Sequence, residues 1–380
     1  MPPINLLVKP ASDMCNLQCK YCFYSDVSKK REVQCYGLMS KETLENMMRK
    51  ALDYADNFCG ITYQGGEPTL AGLEYFKNSI ELQRRYNKKG VMIHNSIQTN
   101  GYGINKEWAK FFAENDFLVG ISLDGIKSTN DEFRVNGKGQ GTFYDILKTI
   151  ELFKKYNVKF NILTVVNKAT VSKVKEIYNF YKKNNLQYLQ FIACLDPLGE
   201  KGGQMPYSLL GEEYGIFLCE LFDLWYEDLI NGKQPYIRQF ENYISILMGY
   251  EPESCEQRGV CGFNHVLESN GQVYPCDFYV LDKYNLGNIN EINFYEIQNK
   301  RKELNFVKES LNHTQKCKSC TYFFICRGGC RRHRIIESEE EKYENYFCQS
   351  YKMFFKHSLT RMKAIANELR RINGINSLNK

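Results

Sequence analysis

Residues 4–22 run Ile-Asn-Leu-Leu-Val-Lys-Pro-Ala-Ser-Asp-Met-Cys-Asn-Leu-Gln-Cys-Lys-Tyr-Cys. The apolar start predicts a strand over Ile4–Lys9, and the loop after it carries Cys15, Cys19 and Cys22. Three thiolates at this spacing can hold one side of a four-iron cluster and leave its fourth iron open to a small molecule. A zinc site is the alternative, but zinc binds a fourth ligand, and no nearby His or Cys is spaced to supply it.

The first 200 residues alternate between strand patterns and helix patterns. Short apolar runs bounded by turn residues predict six strands: Ile4–Lys9, Gly60–Gln64, Val91–Gln98, Phe117–Leu123, Val158–Val166 and Tyr188–Leu195. Apolar residues at helical spacing predict helices over Lys41–Asp56, Leu70–Tyr86, Lys106–Glu114, Thr142–Tyr156 and Val171–Lys183. This alternation predicts an α/β fold with a parallel sheet, and we expect a partial (β/α)6 TIM-like barrel, with a doubly wound sheet as the alternative.

Glycines and polar residues follow the carboxyl ends of these strands. The segments concerned are Gly65-Gly66-Glu67-Pro68, Thr99-Asn100-Gly101, Asp124-Gly125 and Asp196-Pro197. Ligands of parallel sheets bind at this edge, so we expect the functional site there. Glycines in such a turn let the backbone approach a ligand closely.

The second half of the chain follows a different pattern. We expect helices over Tyr214–Asn231 and Tyr236–Tyr250, a hairpin turning at Asn270-Gly271, and a basic final helix over Phe354–Arg371. The predicted domains are a barrel over 1–235, a cysteine-rich domain over 236–350 and a C-terminal helix over 351–380.

Fifteen cysteines are too many for an ordinary chain of 380 residues. Eight of them form a second array: Cys255, Cys261, Cys276, Cys317, Cys320, Cys326, Cys330 and Cys348. The chain is long for a disulfide scaffold and shows no signal-peptide pattern, so we expect metal ligands. Eight thiolates suffice for two closed iron–sulfur clusters or for two structural zinc sites.

These motifs together resemble a known family. Cys-x3-Cys-x2-Cys, with an aromatic residue before its last cysteine, resembles the signature of the radical S-adenosylmethionine (SAM) superfamily. The second array resembles the SPASM domain of peptide-modifying radical SAM enzymes. From Pro10 to Cys348 the chain is similar to the anaerobic sulfatase-maturating enzymes, and Tyr274–Asp282 resembles their catalytic segment.

The resemblance implies three 4Fe-4S clusters and SAM as cofactors. Cys15, Cys19 and Cys22 would bind the cluster that cleaves SAM. The first auxiliary cluster would take Cys255, Cys261, Cys276 and Cys330, and the second Cys317, Cys320, Cys326 and Cys348. The residues implied to contact SAM are Tyr21, Gly65, Gly66, Glu67, Ser122, Arg134 and Leu195, although Leu195 is equally compatible with a core position.

The resemblance also implies the reaction. A 5′-deoxyadenosyl radical would remove a hydrogen from Cβ of a sulfatase Cys or Ser, and Asp277 would take the thiol or hydroxyl proton as general base. The auxiliary clusters would accept an electron, and the product would be Cα-formylglycine. Tyr24, beside the first cysteines, is expected to line the substrate pocket. Cys35, Cys59, Cys194 and Cys219 remain, and we expect them to be small buried apolar residues.

Two alternatives remain open from the sequence. The first is another SPASM peptide-modifying enzyme that forms thioether or carbon–carbon crosslinks. Such enzymes often carry an extra amino-terminal peptide-binding domain, and the first strand here begins at residue 4. The second is a zinc-stabilised binding or electron-carrier protein without SAM chemistry.

Charge and hydropathy indicate which classes of binding partner to expect. Fifty Lys and Arg against 44 Asp and Glu give a net charge of +6, spread along the chain, so we expect no nucleic-acid partner. No stretch is apolar enough for a membrane span, so we expect a cytoplasmic protein. The expected partners are an unfolded sulfatase polypeptide with a Cys/Ser-x-Pro-x-Arg motif and an electron donor such as flavodoxin or ferredoxin, with the enzyme itself a monomer. The sequence leaves open whether Cys or Ser is the target.

Overall fold

The computed structural model describes residues 3–335 and 343–373. Its strands are β1 (Ile4–Val8), β2 (Phe58–Tyr63), β3 (Met92–Thr99), β4 (Leu118–Ser122), β5 (Lys159–Val166), β6 (Tyr188–Ala193), β7 (Tyr236–Ile237), β8 (His265–Leu267), β9 (Val273–Tyr274), β10 (Arg334–Ile335) and β11 (Glu344–Asn345). Within the described residues, nine strands form one sheet in the order β7-β6-β5-β4-β3-β2-β1-β8-β9, and β10 pairs with β11. The six predicted strands are the first six observed, and the α/β class with a parallel sheet is confirmed.

Helices fill most of the connections. They are α1 (Phe23–Lys29), α2 (Lys41–Tyr54), α3 (Leu73–Tyr86), α4 (Lys106–Glu114), α5 (Lys127–Phe133), α6 (Phe143–Lys155), α7 (Val174–Lys183), α8 (Gly211–Ile230), α9 (Arg238–Met248), α10 (Cys255–Arg258), α11 (Phe294–Glu303), α12 (Phe306–Glu309), α13 (Gln315–Lys318), α14 (Phe323–Cys326) and α15 (Cys348–Ile372). None of the helices in the described ranges is long and apolar enough to cross a bilayer.

The chain divides into two compact units. The first comprises Met1–Leu123, Asn130–Ile162 and Phe263–Phe306. In this unit β1 pairs in parallel with β2 on one side and with β8 on the other. The hairpin β8–β9 turns at Asn270-Gly271 as predicted. It joins the sheet next to β1, the first strand of the chain. The first unit therefore places Cys276, just after β9, in the same body as the first three cysteines.

The packing of α2 shows how the first unit is held together. Ser40 caps the helix, since its Oγ accepts a hydrogen bond of 3.0 Å from the backbone N–H of Thr43. The apolar face that follows includes Leu44, Met47 and Met48, all completely buried. Each such side chain contributes about 2 kcal/mol to folding.

The second unit comprises Asp124–Thr129, Leu163–Gly262 and Val307–Lys380. Its core is aromatic, with Phe222, Trp225 and Phe240 from α8 and α9 packed against Phe354 of α15. The predicted final helix is confirmed and starts earlier, at Cys348. The predicted boundaries at 235 and 350 stay predictions.

Candidate active site

The first three cysteines lie on the loop between β1 and α1. Backbone hydrogen bonds fix this loop, because the N–H groups of Gln18 and Lys20 donate to the carbonyls of Val135 (2.7 Å) and Phe133 (3.0 Å). Cys22 also serves as the N-cap of α1. That helix was not predicted, and a sulfur cap is a weak sequence signal for a helix start.

Hydrogen-bond donors surround the three sulfurs. The contacts are Leu17 N–H to Cys15 Sγ (3.4 Å), Asn100 Nδ2 to Cys15 Sγ (3.6 Å), Arg134 Nη1 to Cys19 Sγ (3.7 Å) and Ser25 N–H to Cys22 Sγ (3.5 Å). Donors of this kind favour the thiolate, the form that binds iron. In the free thiols, loss of solvation raises the pKa of Cys15 to about 12, and the neighbouring Glu67 carboxylate and the other two thiolates add to the rise. These effects disfavour the thiolate, and the positive charge of cluster iron would offset them when a cluster binds.

The Gly65-Gly66-Glu67 turn packs directly against this loop. Gly66 has φ of 54°, and a Cβ there would lie 2.2 Å from the carbonyl oxygen of Met14. Glu67 is buried, and its oxygens accept hydrogen bonds from the backbone N–H of Asn100 (2.8 Å) and from Thr99 Oγ1 (2.9 Å). The carboxylate therefore holds the end of β3, where Asn100 reaches Cys15.

The structure distributes the other predicted SAM contacts between the units. Tyr21 and Arg134 lie together beside Cys19, with the Arg134 guanidinium 5.6 Å from the centre of the Tyr21 ring. Ser122 is the last residue of β4, at the same carboxyl edge of the sheet. Leu195 belongs to the second unit, where it lines a cavity with Asp196 and other residues. Their contacts with SAM remain predictions.

Asp277 occupies a well-defined polar position in the first unit. It follows Cys276 on a short 3-10 turn, Asp277–Tyr279. One carboxylate oxygen forms an ion pair with Lys9 Nζ, and the other accepts a hydrogen bond of 2.9 Å from Gln64 Nε2. Burial raises the pKa of the Cys22 thiol, and the Asp277 carboxylate adds to this rise. The ring centres of Phe23 and Phe278, the residues that follow Cys22 and Asp277, are 4.8 Å apart. The predicted base and the first cysteine loop therefore lie near each other.

Lys9 and Gln64 were missed as site residues in the sequence analysis. Each directly follows a strand, β1 and β2 respectively, at the carboxyl edge where ligands are expected. Their position directly after a strand could have indicated both residues as members of the site. Lys9 is completely buried, and Gly65 makes room for it, since a Cβ on Gly65 would lie 2.6 Å from Lys9 Nζ.

Tyr24 lies on the other side of Lys9. The Lys9 ammonium is 3.7 Å from the centre of the Tyr24 ring, and the Tyr24 hydroxyl donates to Glu268. Arg31 Nη1 also donates to Glu268, at 2.6 Å. Burial raises the pKa of Glu268 to about 7, and Lys9 opposes this rise. A continuous buried polar cluster thus runs from Asp277 through Lys9 and Tyr24 to Glu268.

The second cysteine array falls into sets. Cys317, Cys320, Cys326 and Cys348 line one cavity of the second unit, together with aromatic residues that include Tyr351 and Phe355. Cys255, Cys261 and Cys330 form another set, in which burial and then the neighbouring thiolates raise the pKa of Cys330. The family resemblance adds Cys276, which belongs to the first unit, to the second of these sets, and both ligand sets remain predictions.

The remaining four cysteines correct one expectation. Cys59 and Cys194 are buried as predicted, whereas Cys219 is only half-buried. Cys35 is exposed, so the prediction of a buried apolar residue there is wrong. It lies in the turn-rich connection between α1 and α2, where little of the chain packs over it.

Comparison with known proteins identifies the family. The model described as the Radical SAM superfamily matches residues 10–181, and the SPASM model, described as an iron–sulfur cluster-binding domain, matches residues 260–321. The cysteine-type anaerobic sulfatase-maturating enzyme of Clostridium perfringens (strain 13 / Type A) is 47% identical, over 97% of this chain and 100% of that protein. The chain belongs to the anaerobic sulfatase-maturating enzymes.

Other relatives of this sulfatase-maturating family agree. The serine-type enzyme of Bacteroides thetaiotaomicron is 33% identical, over 97% of this chain and 92% of that protein. The solved structure of native anSMEcpe with bound AdoMet and Cp18Cys peptide is 46% identical and superimposes with a TM-score of 0.91, covering 97% of this chain and 100% of that one. The predicted family, fold class and radical SAM enzyme class are therefore confirmed.

Proposed function

We propose that this chain oxidises a cysteine of an unfolded sulfatase polypeptide to Cα-formylglycine without oxygen. The observation that carries the proposal is the placement of Asp277, held by Lys9 and Gln64 beside the cysteine loop in one compact unit. Cysteine is the proposed target because the 47% identical relative is named as cysteine-type, whereas the serine-type relative is 33% identical.

The proposed cofactors are SAM and three 4Fe-4S clusters, bound by the eleven cysteines in the groups given above. When bound, the first cluster and SAM supply a 5′-deoxyadenosyl radical that removes one hydrogen atom from the substrate Cβ, and the two closed clusters suit electron transfer. Tyr21, Gly65, Gly66, Glu67, Ser122, Arg134 and Leu195 are the proposed SAM contacts.

The chain's own residues handle the substrate thiol. Asp277 Oδ accepts the thiol proton as the substrate carbon, which has lost one hydrogen atom, gives up an electron and forms a carbon–sulfur double bond. That electron would be accepted by an auxiliary cluster. Water then adds to the thioaldehyde, and sulfide leaves, which gives the formylglycine aldehyde. Lys9 forms an ion pair with one oxygen of Asp277, and Gln64 donates a hydrogen bond to the other, so the two residues fix the orientation of the carboxylate. Tyr24, which is itself held by Glu268, forms a rigid wall beside this pair.

The proposed partners are a polypeptide with a Cys-x-Pro-x-Arg motif and an external electron donor such as flavodoxin or ferredoxin. The bound Cp18Cys peptide in the anSMEcpe structure supports a peptide substrate. We also propose that the enzyme works as a monomer in the cytoplasm, where unfolded sulfatase chains are synthesised.

The direct test is anaerobic reconstitution with iron, sulfide, SAM and reductant, followed by incubation with paired peptides that differ only in Cys or Ser at the target position. We expect the Cys peptide to lose the mass that corresponds to replacement of CH2SH by CHO, and the Ser peptide to react more slowly. A thioether product, or faster reaction of the Ser peptide, would contradict the proposal.

A further inference from the structure

Arg301, on α11, is buried without a matching partner for its charge. The residue is 2% exposed. Its Nη2 donates to the backbone carbonyl of Asn264, but its Nε and Nη1 have no hydrogen-bond partner among the described residues. Burying the N–H groups of a cation without hydrogen-bond acceptors costs free energy of folding, so buried donors in native proteins have an acceptor, from the protein or from a bound group.

Two other buried cations of this unit are paired with carboxylates. Lys9 forms an ion pair with Asp277, and Arg31 forms one with Glu268. Within the described part of the chain, Arg301 has no ion pair with an acidic side chain. Burial lowers the pKa of Arg301 to about 10, so the guanidinium stays charged at neutral pH.

The hairpin β8–β9 shows where this charge lies. Its antiparallel register pairs Val266 with Tyr274 and Leu267 with Val273. Continued by two residues, the same register places Asn264 opposite Cys276. Arg301 is bound to the carbonyl of Asn264, and Tyr54 and then a thiolate at Cys276 favour its charged form. The unpaired cation therefore lies next to Cys276.

We propose that Arg301 is the counter-cation of the auxiliary cluster bound through Cys276, and that it raises the reduction potential of that cluster. This inference rests on the proposed cluster at Cys276. Each added electron makes a cluster more negative, so a buried cation nearby stabilises the reduced form more than the oxidised form. Its N–H groups without a partner, on Nε and Nη1, would be available to donate hydrogen bonds to cluster sulfur, which would also raise the potential. Arg301 thus makes this cluster a better acceptor for the substrate's electron.

The test is an EPR-monitored potentiometric titration of the reconstituted full-length enzyme and its variants, with iron content measured for each. Arg301→Met removes the charge, Arg301→Lys keeps it, and Lys300→Met removes an exposed charge from the same helix. Cys276→Ala identifies which signal belongs to the cluster in question. None of these readouts requires turnover of peptide, so an error in the proposed substrate would not affect them.

We expect Arg301→Met to lower one midpoint potential by about 59 mV or more, which is a tenfold change in the one-electron equilibrium constant. That signal should be the one missing from Cys276→Ala, and Arg301→Lys and Lys300→Met should both stay near the wild-type potential. Unchanged potentials with full iron content, or a shift in a different cluster, would overturn the role of Arg301. If no cluster depends on Cys276, the inference fails together with the proposed cluster there.

If Arg301→Met loses iron, its potential cannot be compared, and the iron contents of Arg301→Gln and Arg301→Lys test the role of the charge instead. Arg301→Gln should then lose the same cluster while Arg301→Lys retains it, because lysine keeps the positive charge of arginine and glutamine does not. Loss of the cluster from Arg301→Lys as well would assign Arg301 a packing role and contradict the proposal.

Discussion

The ion pair between Lys9, which is completely buried, and Asp277 should affect the rate of peptide oxidation. Replacing Lys9 with Met removes the partner that holds one oxygen of Asp277, so we expect the carboxylate to lose its fixed position and to accept the substrate's proton less readily. Peptide oxidation should fall about tenfold or more, which equals about 1.4 kcal/mol of barrier, while SAM is still cleaved. Rates of peptide oxidation and of 5′-deoxyadenosine release measure both.

Lys29→Met, which removes an exposed charge from α1, is the matched control for Lys9→Met. Its peptide oxidation should equal that of the wild type. Equal rates for the two variants would show that Lys9 has no part in the chemistry.

Glu268 should give the folded protein a characteristic pH dependence. Burial raises the pKa of Glu268 from 4.5 to about 7, so the folded state binds this proton more tightly than the unfolded state does. The stabilisation is present at low pH and is lost as the pH rises through 7. Between pH 5.5 and 7.5 the loss should be on the order of 2 kcal/mol. Thermal unfolding across this range measures it, with Glu268→Gln as the variant that lacks the proton.

The exposed Glu291→Gln serves as the control for that pH series, since the Glu291 side chain is solvated. It should keep the wild-type slope, whereas Glu268→Gln should show a flatter one. Identical slopes for all three proteins would mean that Glu268 does not titrate in this range.

Sequence patterns were sufficient for some site residues and not for others. The cysteines and Asp277 were predicted because their spacing matches a motif. Lys9 was taken as the end of a strand, although its charge contacts Asp277, 268 positions later in the chain. A contact of that range depends on the pairing of β1 with β8, which no local pattern specifies.

At the scale of elements, the turn after β2 positions the first cysteine loop. A Cβ on Gly66 would meet the carbonyl oxygens of Met14 at 2.2 Å and Ser12 at 2.8 Å, which are backbone atoms that cannot move aside cheaply. Gly66→Ala should therefore push the loop outward and weaken SAM binding about tenfold or more. Equilibrium binding of SAM to the reconstituted enzyme measures this.

Gly90 offers a matched glycine for that experiment. Its φ of 67° is also positive, but nothing lies within 4 Å of the Cβ position, so Gly90→Ala introduces strain without a collision. SAM binding should stay near wild type in Gly90→Ala. Equal losses in both variants would attribute the effect to general strain.

Element boundaries show where local patterns end. The predicted helix Leu70–Tyr86 is divided at Gly72, whose φ of 84° ends the 3-10 turn Pro68–Ala71 before α3 begins. The predicted helix Tyr236–Tyr250 starts at Arg238, because Tyr236 and Ile237 pair with β6 instead. In both cases a backbone conformation or a distant strand overrides helical periodicity.

At the scale of the whole molecule, eleven cysteines are proposed as cluster ligands and four are not, and the iron content of variants tests this division. Replacing Cys326, which lines a cavity with three more cysteines, should remove about four of some twelve irons, since each cluster holds four. Replacing the completely buried Cys59 with Ala should leave the iron content unchanged, because no ligand is lost. Iron and sulfide analysis of the purified variants measures both outcomes. Loss of iron from Cys59→Ala, or none from Cys326→Ala, would contradict the assignment.

Spacing alone could not have divided the eight later cysteines into two sets. The division depends on how the short helices and loops of the second unit bring Cys348 to Cys317, 31 positions earlier. The family resemblance supplied that grouping, and the cavity of the second unit agrees with it.

The central claim, that Asp277 turns radical SAM chemistry into oxidation of a cysteine thiol, is tested most directly by one paired measurement. Wild type and Asp277→Asn are incubated anaerobically with SAM, reductant and a Cys-x-Pro-x-Arg peptide, and 5′-deoxyadenosine and formylglycine are quantified together. We expect equal amounts of both from the wild type, and 5′-deoxyadenosine with aldehyde reduced by about two orders of magnitude from Asp277→Asn. Formylglycine at the wild-type ratio from Asp277→Asn would contradict the account.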